Sequence, residues 1–336
     1  MKIKAWAPGR VNLIGEHTDY TDGLVLPMAI QLGTTVEGEV TDGRIRLRSD
    51  IEPDVVDLTL PVVDIPPEVP RWGRYVAAIA AELAVETGID GTVTTDVPSG
   101  AGLSSSAALC VAVAYALGAA DEHSPAEIAA IARRAEAAVD VHCGIMDQLA
   151  SACGVAGHAL RIDCRSGDIT PIPVPAVARV VVIDSGRRRR LSESAYEERR
   201  RQCEAAAAIV GPLRDASLDA LGAIDDEVVR RRAHHVISEN ARVDEFAAAL
   251  TADDLVAAGR LMLASHASLR DDFEVSVDEL NDLVAELTGL DGVYGARLTG
   301  AGFGGCVVAL CRPDVDPTAL GPRGWIVQPS AGARML

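Results

Sequence analysis

The chain has 336 residues, 49% hydrophobic and 24% charged, a composition typical of a globular protein long enough for two domains. Its 31 basic and 49 acidic residues give a net charge of −18, which argues against nucleic-acid binding. The only lysines are Lys2 and Lys4, which excludes a Walker A loop and the strand lysine of protein kinases. Any phosphate must therefore be bound by arginine, backbone N–H groups and metal.

The first half of the chain alternates strand patterns with helical ones. The predicted strands cover residues 2–7, 24–30, 33–40, 44–48, 92–96 and 158–163, with one more near 55–60. The predicted helices cover residues 72–87, 104–117 and 125–139, and the first of them is expected to stop at Gly88. Ser124 is a candidate N-cap of the last helix, because Pro125 takes the first helical position and Glu127 the capping-box position.

The second half begins after a cluster of prolines at positions 171, 173 and 175. We therefore place a domain boundary there and divide the chain into residues 1–170 and 171–336. The predicted helices of this half cover residues 192–209, 226–250, 251–265 and 277–287, and the strands 179–184, 296–299, 306–311 and 324–328. Strands and helices mixed without a strict βαβ rhythm predict an α+β fold.

Cysteine spacing and hydropathy predict where the protein resides. The seven cysteines form no C-x-x-C pair, which is typical of reduced thiols in a cytoplasmic enzyme. The start of the chain lacks an apolar secretory core, and the longest weakly polar run, residues 107–120, is too short to span a bilayer. We expect a cytoplasmic protein without a membrane partner. The oligomeric state is left open by the sequence, with a monomer as the expectation.

Residues 9–20 gather an unusual set of polar side chains, interrupted by two glycines. Arg10, Asn12, Glu16, His17 and Asp19 fall within eleven positions beside a short apolar run. Carboxylates accept hydrogen bonds from hydroxyl groups and imidazole can donate or accept them, so such groups can converge on vicinal hydroxyls. The segment predicts a sugar pocket with an arginine for an anionic group. The alternative is a solvated turn after an edge strand.

Residues 98–108, with the sequence PSGAGLSSSAA, follow one predicted strand and open a helix. Glycines let backbone N–H groups approach an anion, and the helix start supplies unpaired N–H donors. Three serines add hydroxyls for phosphate or magnesium, so the segment predicts a phosphate site without lysine. The alternative is a glycine turn with serine caps, although one serine would suffice for capping.

Two further segments complete the candidate site. Asp147 lies inside an apolar stretch, where it can cap a neighbouring helix or, beside Arg10, orient a hydroxyl and accept its proton. Residues 299–306 carry four glycines between two predicted strands. That number exceeds what a bulged hairpin requires, which favours a close backbone approach to a ligand.

Together these four segments resemble the galactokinases of the GHMP small-molecule kinase family, over essentially the whole chain. Residues 9–20 are similar to the galactokinase signature, 98–108 to the ATP loop, 144–151 to the catalytic-aspartate segment and 299–306 to the third family motif. The resemblance implies a two-domain α+β fold, with an N-terminal ribosomal-S5-like domain, a C-terminal ferredoxin-like domain and the site between them. It also implies ATP and Mg²⁺ as cosubstrates, the anomeric hydroxyl of galactose as acceptor and galactose 1-phosphate as product.

The resemblance implies a role for each matched residue. Asp147 would be the base and Arg10 the charge stabiliser. The residues implied for the sugar are Glu16, His17, Asp19, Gly144 and Tyr196. The residues implied for ATP are Gly100, Ala101, Gly102, Leu103, Ser104, Ser105, Ser106 and Ala107, with Trp72 and Tyr75 beside the adenine. Magnesium would be held by Ser106 and Glu136, with Asp140 as the alternative because residues 136–144 are one residue shorter than the family pattern.

Other readings of the sequence stay open. The same hydroxyl-binding groups fit a kinase for N-acetylgalactosamine or L-arabinose. A non-catalytic sugar sensor on the same fold is disfavoured, since residues 104–107, Arg10 and Asp147 are all intact. A mevalonate- or homoserine-type kinase is disfavoured further, because such kinases lack the Gly-Glu-His-Thr-Asp segment found at residues 15–19.

Overall fold

The structure, a computed structural model, describes residues 1–98, 100–141, 143–187 and 192–336. Its strands are β1 (Lys2–Asn12), β2 (Leu24–Val25), β3 (Pro27–Asp42), β4 (Arg44–Ser49), β5 (Val56–Thr59), β6 (Thr87–Thr95), β7 (His158–Asp163), β8 (Ile169–Pro173), β9 (Arg179–Asp184), β10 (Val293–Thr299), β11 (Cys306–Cys311), β12 (Arg323–Val327) and β13 (Arg334–Met335). Its helices are α1 (Arg71–Glu82), α2 (Ser105–Ala116), α3 (Pro125–Ala137), α4 (Met146–Cys153), α5 (Ser192–Val210), α6 (Glu227–Thr251), α7 (Leu255–Asp271) and α8 (Asp278–Thr288). The predicted α+β class is confirmed.

The first sheet has six strands in the order β13-β1-β3-β6-β4-β5, and only the β4–β6 pair is parallel. Buried and exposed residues alternate along β4 and β5, so each of these strands presents one apolar face. Helices α2 and α4 pack against β1, and α1 and α3 pack against α2. One hydrophobic core fills the space between this sheet and these helices.

The second half contains a four-stranded antiparallel sheet in the order β10-β11-β9-β12, with α7 packed on β10. Gly259 of α7 permits this contact, because a Cβ there would lie 2.0 Å from the Tyr294 carbonyl oxygen. Strands β2, β7 and β8 form a smaller sheet. A second core joins the two halves, since Val11 of β1, Val182 of β9 and Phe246 of α6 belong to it.

Several element boundaries differ from the predictions for physical reasons. The predicted helix 72–87 is wrong at its end, because Ala84 adopts a left-handed φ of 48° and Gly88 already lies inside β6. Pro171 and Pro173 of the proline cluster belong to β8, which spans position 170. Among the described strands, β8 pairs with β7 alone, and an edge strand tolerates the missing proline N–H. In the described ranges no helix combines the length and apolarity that crossing a membrane requires.

Candidate active site

A cavity of about 300 Å³ opens between the two halves, a size within the usual range for small-molecule sites. Its described lining comes from β1 and the turn after it, the loop before α2, the end of α3, the start of α4, helix α5 and the turn after β10. The lining residues are Arg10, Glu16, His17, Asp19, Gly100, Gly102, Leu103, Ser104, Ser105, Ser106, Glu136, Asp140, Val141, Cys143, Met146, Asp147, Tyr196, Glu197, Gly300 and Ala301.

An arginine–aspartate pair lies at the centre of this cavity. Arg10 Nε and Nη2 lie 2.8 and 2.6 Å from Asp147 Oδ1, while Ser104 donates its hydroxyl to Oδ2. The Arg10 side chain is 6% exposed and that of Asp147 is 23% exposed, so the carboxylate is the more accessible partner. Strand β1 fixes the arginine and the first turn of α4 fixes the aspartate.

The loop before α2 is held directly on β1. Arg10 donates from Nη1 to the Gly102 carbonyl (2.6 Å) and from its backbone N–H to the Leu103 carbonyl (3.1 Å). Gly9 allows this approach, because a Cβ there would lie 2.6 Å from Leu103 O. Ser104 is left-handed (φ 59°) and does not cap α2 with its side chain, so its hydroxyl serves Asp147 instead.

The start of α2 has the features of an anion site. Gly100 and Gly102 adopt φ values of 74° and 79°, a region that favours glycine. The first N–H groups of a helix lack acceptors within it, and here that end of α2 faces the cavity through Ser105 and Ser106. Ala101 and Ala107 of the predicted ATP loop are buried beside this wall, and Ser99 lies outside the described residues.

The opposite wall carries the polar residues that follow β1. His17 donates from Nε2 to the Ala301 carbonyl (3.2 Å), and its Nδ1 forms a hydrogen bond with the Tyr20 hydroxyl (3.0 Å). Glu16 accepts the Gly300 N–H at 2.7 Å. The glycine turn after β10 therefore contacts the polar segment after β1 and lines the cavity with Gly300 and Ala301.

Asp19 packs directly against Gly144. A Cβ at position 144 would lie 2.0 Å from Asp19 Oδ2, so glycine is required for this contact. Burial, together with the charges of Asp147 and Glu16, raises the pKa of Asp19 to about 7. This carboxyl can therefore change its charge near neutral pH.

Aromatic side chains pack around His17. The ring of Tyr196 on α5 lies 5.6 Å from that of His17 and 5.3 Å from that of Tyr20. Phe273 lies 4.7 Å from the His17 ring on another side. Sequence reasoning missed Tyr20 and Phe273. Tyr20 adjoins Asp19 in the polar segment, whereas no local pattern distinguishes Phe273 from an ordinary core residue.

Ser106 and Glu136 meet at the other end of the cavity. Glu136 hydrogen bonds with Ser106 and with Gln148, but its burial dominates and raises its pKa to about 7. Among the described residues no group of three or more His, Cys, Asp or Glu side chains could hold a metal. A hydroxyl and one carboxylate nevertheless fit Mg²⁺, which keeps several waters and is usually shared with substrate phosphates. Asp140 also lines the cavity, so both candidate carboxylates lie near its wall.

Trp72 and Tyr75 do not line the cavity as the structure describes it. Trp72 is 7% exposed, belongs to the first core and donates its indole N–H to the Asp54 carbonyl at 3.0 Å. Tyr75 packs against the same core, and burial raises its pKa to about 12, with a smaller contribution from Glu136. A second hollow is lined by residues 48–55, beside Trp72.

Comparison with known proteins identifies the family. The galactokinase galactose-binding signature matches residues 3–39, the GHMP kinase N-terminal domain residues 74–155 and the GHMP kinase C-terminal domain residues 246–320. A galactokinase of Chloroflexus aurantiacus is 45% identical over 92% of this chain and 84% of its own length. One from Roseiflexus sp. is 46% identical over 90% of this chain and 82% of its own length.

Solved structures agree with these matches. The galactokinase of Lactococcus lactis, crystallised with galactose, superimposes with a TM-score of 0.92 at 31% identity, covering 100% of this chain and 95% of that one. The mevalonate kinase of Methanococcus jannaschii gives a TM-score of 0.70 at 19% identity over 98% of each chain, a likeness of fold alone. With a signature match, two domain matches and curated relatives near 45% identity, this chain belongs to the galactokinases of the GHMP kinase family.

Proposed function

We propose that this protein transfers the γ-phosphoryl group of ATP to the anomeric hydroxyl of galactose and releases galactose 1-phosphate. The observation that carries the proposal is the Arg10–Asp147–Ser104 group, which faces one cavity shared by the polar segment after β1 and the N-terminus of α2. Galactose as the sugar is supported by the galactose-binding signature at residues 3–39. The same signature disfavours a mevalonate- or homoserine-type reaction.

Asp147 is proposed to accept a hydrogen bond from the anomeric hydroxyl and to take its proton as the oxygen attacks phosphorus. Arg10 holds one carboxylate oxygen and Ser104 the other, so the group is oriented before substrate binds. In the in-line transfer, charge spreads over the phosphoryl oxygens, and Arg10 lies where it can balance that charge. Glu16, His17, Asp19, Gly144 and Tyr196 are the proposed sugar-binding residues.

The N-terminal turn of α2 and residues 100–107 are proposed to bind the triphosphate through backbone N–H groups and serine hydroxyls. Ser106 and Glu136 are the residues that would hold Mg²⁺, which would supply positive charge to the phosphate oxygens. Trp72 is proposed to contribute to the adenine end from beneath the hollow formed by residues 48–55. Tyr75 is proposed to contribute to the same end from the edge of the first core.

The partners are therefore a small sugar and ATP. We further propose a cytoplasmic monomer divided into residues 1–170 and 171–336, with the site between the two parts. All seven cysteines are free thiols, which is typical of a reducing compartment.

A coupled ADP-release assay tests the proposal with galactose, its epimers, N-acetylgalactosamine and L-arabinose. We expect ATP consumption with galactose, and galactose 1-phosphate as the product by mass and NMR. A preference for N-acetylgalactosamine or L-arabinose would change the proposed substrate but leave the proposed phosphoryl transfer in place. Galactose binding without ATP consumption would indicate a sensor.

A further inference from the structure

A buried ionic group lies directly behind residues 15–19, the turn after β1 that carries the proposed sugar-binding residues. Arg297 of β10 is 0% exposed, and its Nη1 lies 3.5 Å from Glu16 Oε1 and its Nη2 3.7 Å from Glu239 Oε1. Glu239 of α6 is also 0% exposed and pairs with Arg242 at 2.7 Å. Two carboxylates and two guanidinium groups thus form a set without net charge, reaching from the second half of the chain to the cavity wall.

The two carboxylate oxygens of Glu16 have different surroundings. Oε1 accepts the Gly300 N–H at 2.7 Å, accepts the Thr299 hydroxyl at 3.3 Å and lies next to Arg297. Within the part of the chain that the structure describes, every hydrogen bond to this carboxylate goes to Oε1. Oε2 is therefore available for a hydroxyl in the cavity that Glu16 lines.

Glu239 holds the backbone of the same turn. Its Oε1 accepts the Gly15 N–H at 2.9 Å and the Ser265 hydroxyl at 2.6 Å. Burial alone would raise the pKa of Glu239, but Arg242 and Arg297 among its neighbours hold that pKa at about 2. Arg297 Nε in turn donates to Ser265 at 3.1 Å. The arginine thus contacts both the Glu16 side chain and the acid that anchors Gly15.

Stability alone does not account for this arrangement. Replacing a buried ion pair by apolar residues of similar volume is often neutral or stabilising, because desolvation offsets the attraction. The Arg297 Nη2 group forms no hydrogen bond with the described residues, so its geometry is not that of an optimised structural pair. A role in orienting Glu16 explains why the charge lies at this point.

We propose that Arg297 is a positioning residue for galactose, which turns Glu16 so that one oxygen is held by the β10 turn and the other faces the sugar. This inference rests on the proposed function, because it names how that site recognises its sugar. Arg297 itself touches no substrate, since it is fully buried and does not line the cavity.

The experiment compares Arg297→Met with Arg232→Met in the full chain. Arg232 is the matched control, because it is 2% exposed, lies in the same half and pairs with Glu274 and not with Glu16. Removing one partner of a buried ion pair leaves the other charge uncompensated, and we expect this to change affinity about 10–100-fold. We expect Arg297→Met to raise the galactose Kd and KM by at least about tenfold, with the KM for ATP changed less than about threefold. Arg232→Met lowers Tm but leaves the galactose KM near that of the wild type.

A double-mutant cycle separates positioning from general damage. If Arg297 acts through Glu16, then Arg297→Met adds little to the galactose Kd once Glu16→Gln is present. Equal effects in both backgrounds, or an unchanged galactose Kd in Arg297→Met, would overturn the inference. Should Arg297→Met fail to fold, Arg297→Gln removes the charge but keeps a polar side chain, and we expect a similar rise in Kd. Wild-type affinity in Arg297→Gln, with Glu16 still bonded to Gly300 in its crystal structure, would also overturn the inference.

The proposed function and this inference fail in different ways. A wild-type protein that neither binds galactose nor consumes ATP would contradict the function itself. The orientation of Glu16 can still be determined in a crystal structure of Arg297→Met without sugar. If Glu16 Oε1 still accepts the Gly300 N–H in that variant, the positioning role is contradicted, whichever sugar the protein uses.

Discussion

At Asp147 both carboxylate oxygens are engaged before any substrate is present, one by Arg10 and the other by Ser104. Asp147→Asn keeps the shape but removes the charge and the proton acceptor. We expect kcat to fall by at least about 100-fold, the usual value of base assistance, while the galactose Kd changes only a few-fold. Steady-state kinetics and calorimetry measure the two quantities.

The control for Asp147→Asn is Asp163→Asn. Asp163 also forms a two-pronged pair with an arginine, Arg214, but lies outside the described cavity lining. We expect this control to lower stability and to retain turnover. Near wild-type turnover in Asp147→Asn would refute its assignment as the base.

The contact between Gly144 and Asp19 gives a steric prediction. Gly144→Ala would place a Cβ 2.0 Å from Asp19 Oδ2, so the carboxylate must move. We expect the galactose KM to rise at least about tenfold, since a displaced hydrogen bond to a charged group is worth about 1.5–3 kcal/mol. Gly222→Ala is the control, because nothing lies within 4 Å of a Cβ there. Equal KM values for both variants would remove Asp19 from the sugar site.

The raised pKa of Asp19 gives a pH dependence. The folded protein holds this proton up to a pKa of about 7, whereas the ordinary value is 3.8, so its contribution to stability falls as pH rises between these values. Asp19→Asn cannot ionise. We expect the Tm of Asp19→Asn, relative to the wild type, to increase from pH 5 to pH 8.

Asp57→Asn controls for the general effect of removing an acid. Arg44 lowers the pKa of Asp57, so this residue stays ionised throughout that pH range. Its Tm difference from the wild type should therefore be constant. A constant difference for Asp19→Asn as well would show that Asp19 does not titrate there.

At the scale of elements, local sequence patterns predicted those strand boundaries that neighbouring residues determine. Strands β7, β9 and β11 begin and end at the predicted residues, because turn or proline residues flank compact apolar runs. The predicted end of the first helix is wrong, because Gly88 belongs to β6 and not to the end of α1. Glycine is required there, since a Cβ at this position would lie 2.0 Å from the Arg44 carbonyl oxygen. Such a contact lies 44 positions away in sequence and leaves no periodic pattern.

In the candidate site, too, residues of one segment were predictable from the sequence and residues with distant partners were not. Arg10, Glu16, His17 and Asp19 form one segment, so their composition was sufficient to predict a polar pocket. Arg297 occurs in an apolar strand and was not singled out, because its partners come from β1 and α6. Long-range pairs of this kind become visible only when the sheet and helices are assembled.

The capping box of α3 gives a stability prediction at this scale. Ser124 accepts the Glu127 N–H at 3.4 Å, and Glu127 accepts the Ser124 N–H at 2.8 Å, as the sequence predicted. We expect Ser124→Ala to lower the free energy of unfolding by about 1 kcal/mol and to leave kcat unchanged. Ser217→Ala is the control, because Ser217 precedes a short 3₁₀ helix without a side-chain cap. Equal unfolding energies would show that the capping bonds add no stability.

At the scale of the whole molecule, the chain's last residues return to its first sheet. Strand β13 pairs with β1 at Ala5 and Trp6, and the Arg334 guanidinium lies 4.2 Å from the Trp6 ring centroid. Without β13, strand β1 would become an exposed edge. Since β1 carries Arg10, the end of the chain stabilises the strand that holds the central arginine.

The same segment also holds the helix that carries Asp147. The Ala333 N–H donates to the Ser151 carbonyl of α4 at 3.0 Å, and the Gly332 N–H donates to the Gly154 carbonyl at 2.7 Å. A chain ending at residue 327 loses both bonds as well as the β13 pairing. Each backbone hydrogen bond contributes about 1 kcal/mol, and 1 kcal/mol corresponds to about 2–4 °C in Tm for a large domain.

We therefore expect a chain ending at residue 327 to melt at least about 6 °C lower, because at least three such bonds are lost. Its kcat should fall more than its affinity for galactose, since Arg10 and Asp147 are the groups that lose support from β1 and α4. A chain ending at residue 335 is the control, because it keeps β13 and the bonds of Gly332 and Ala333 and gives up the Leu336 N–H bond to the Lys4 carbonyl (2.8 Å). Its Tm should lie within about 4 °C of the wild type and its kcat should be unchanged. Equal Tm values for the two truncations would show that β13 and its flanking residues do not stabilise the site, and the positions of Arg10 and Asp147 would then depend on the first core alone.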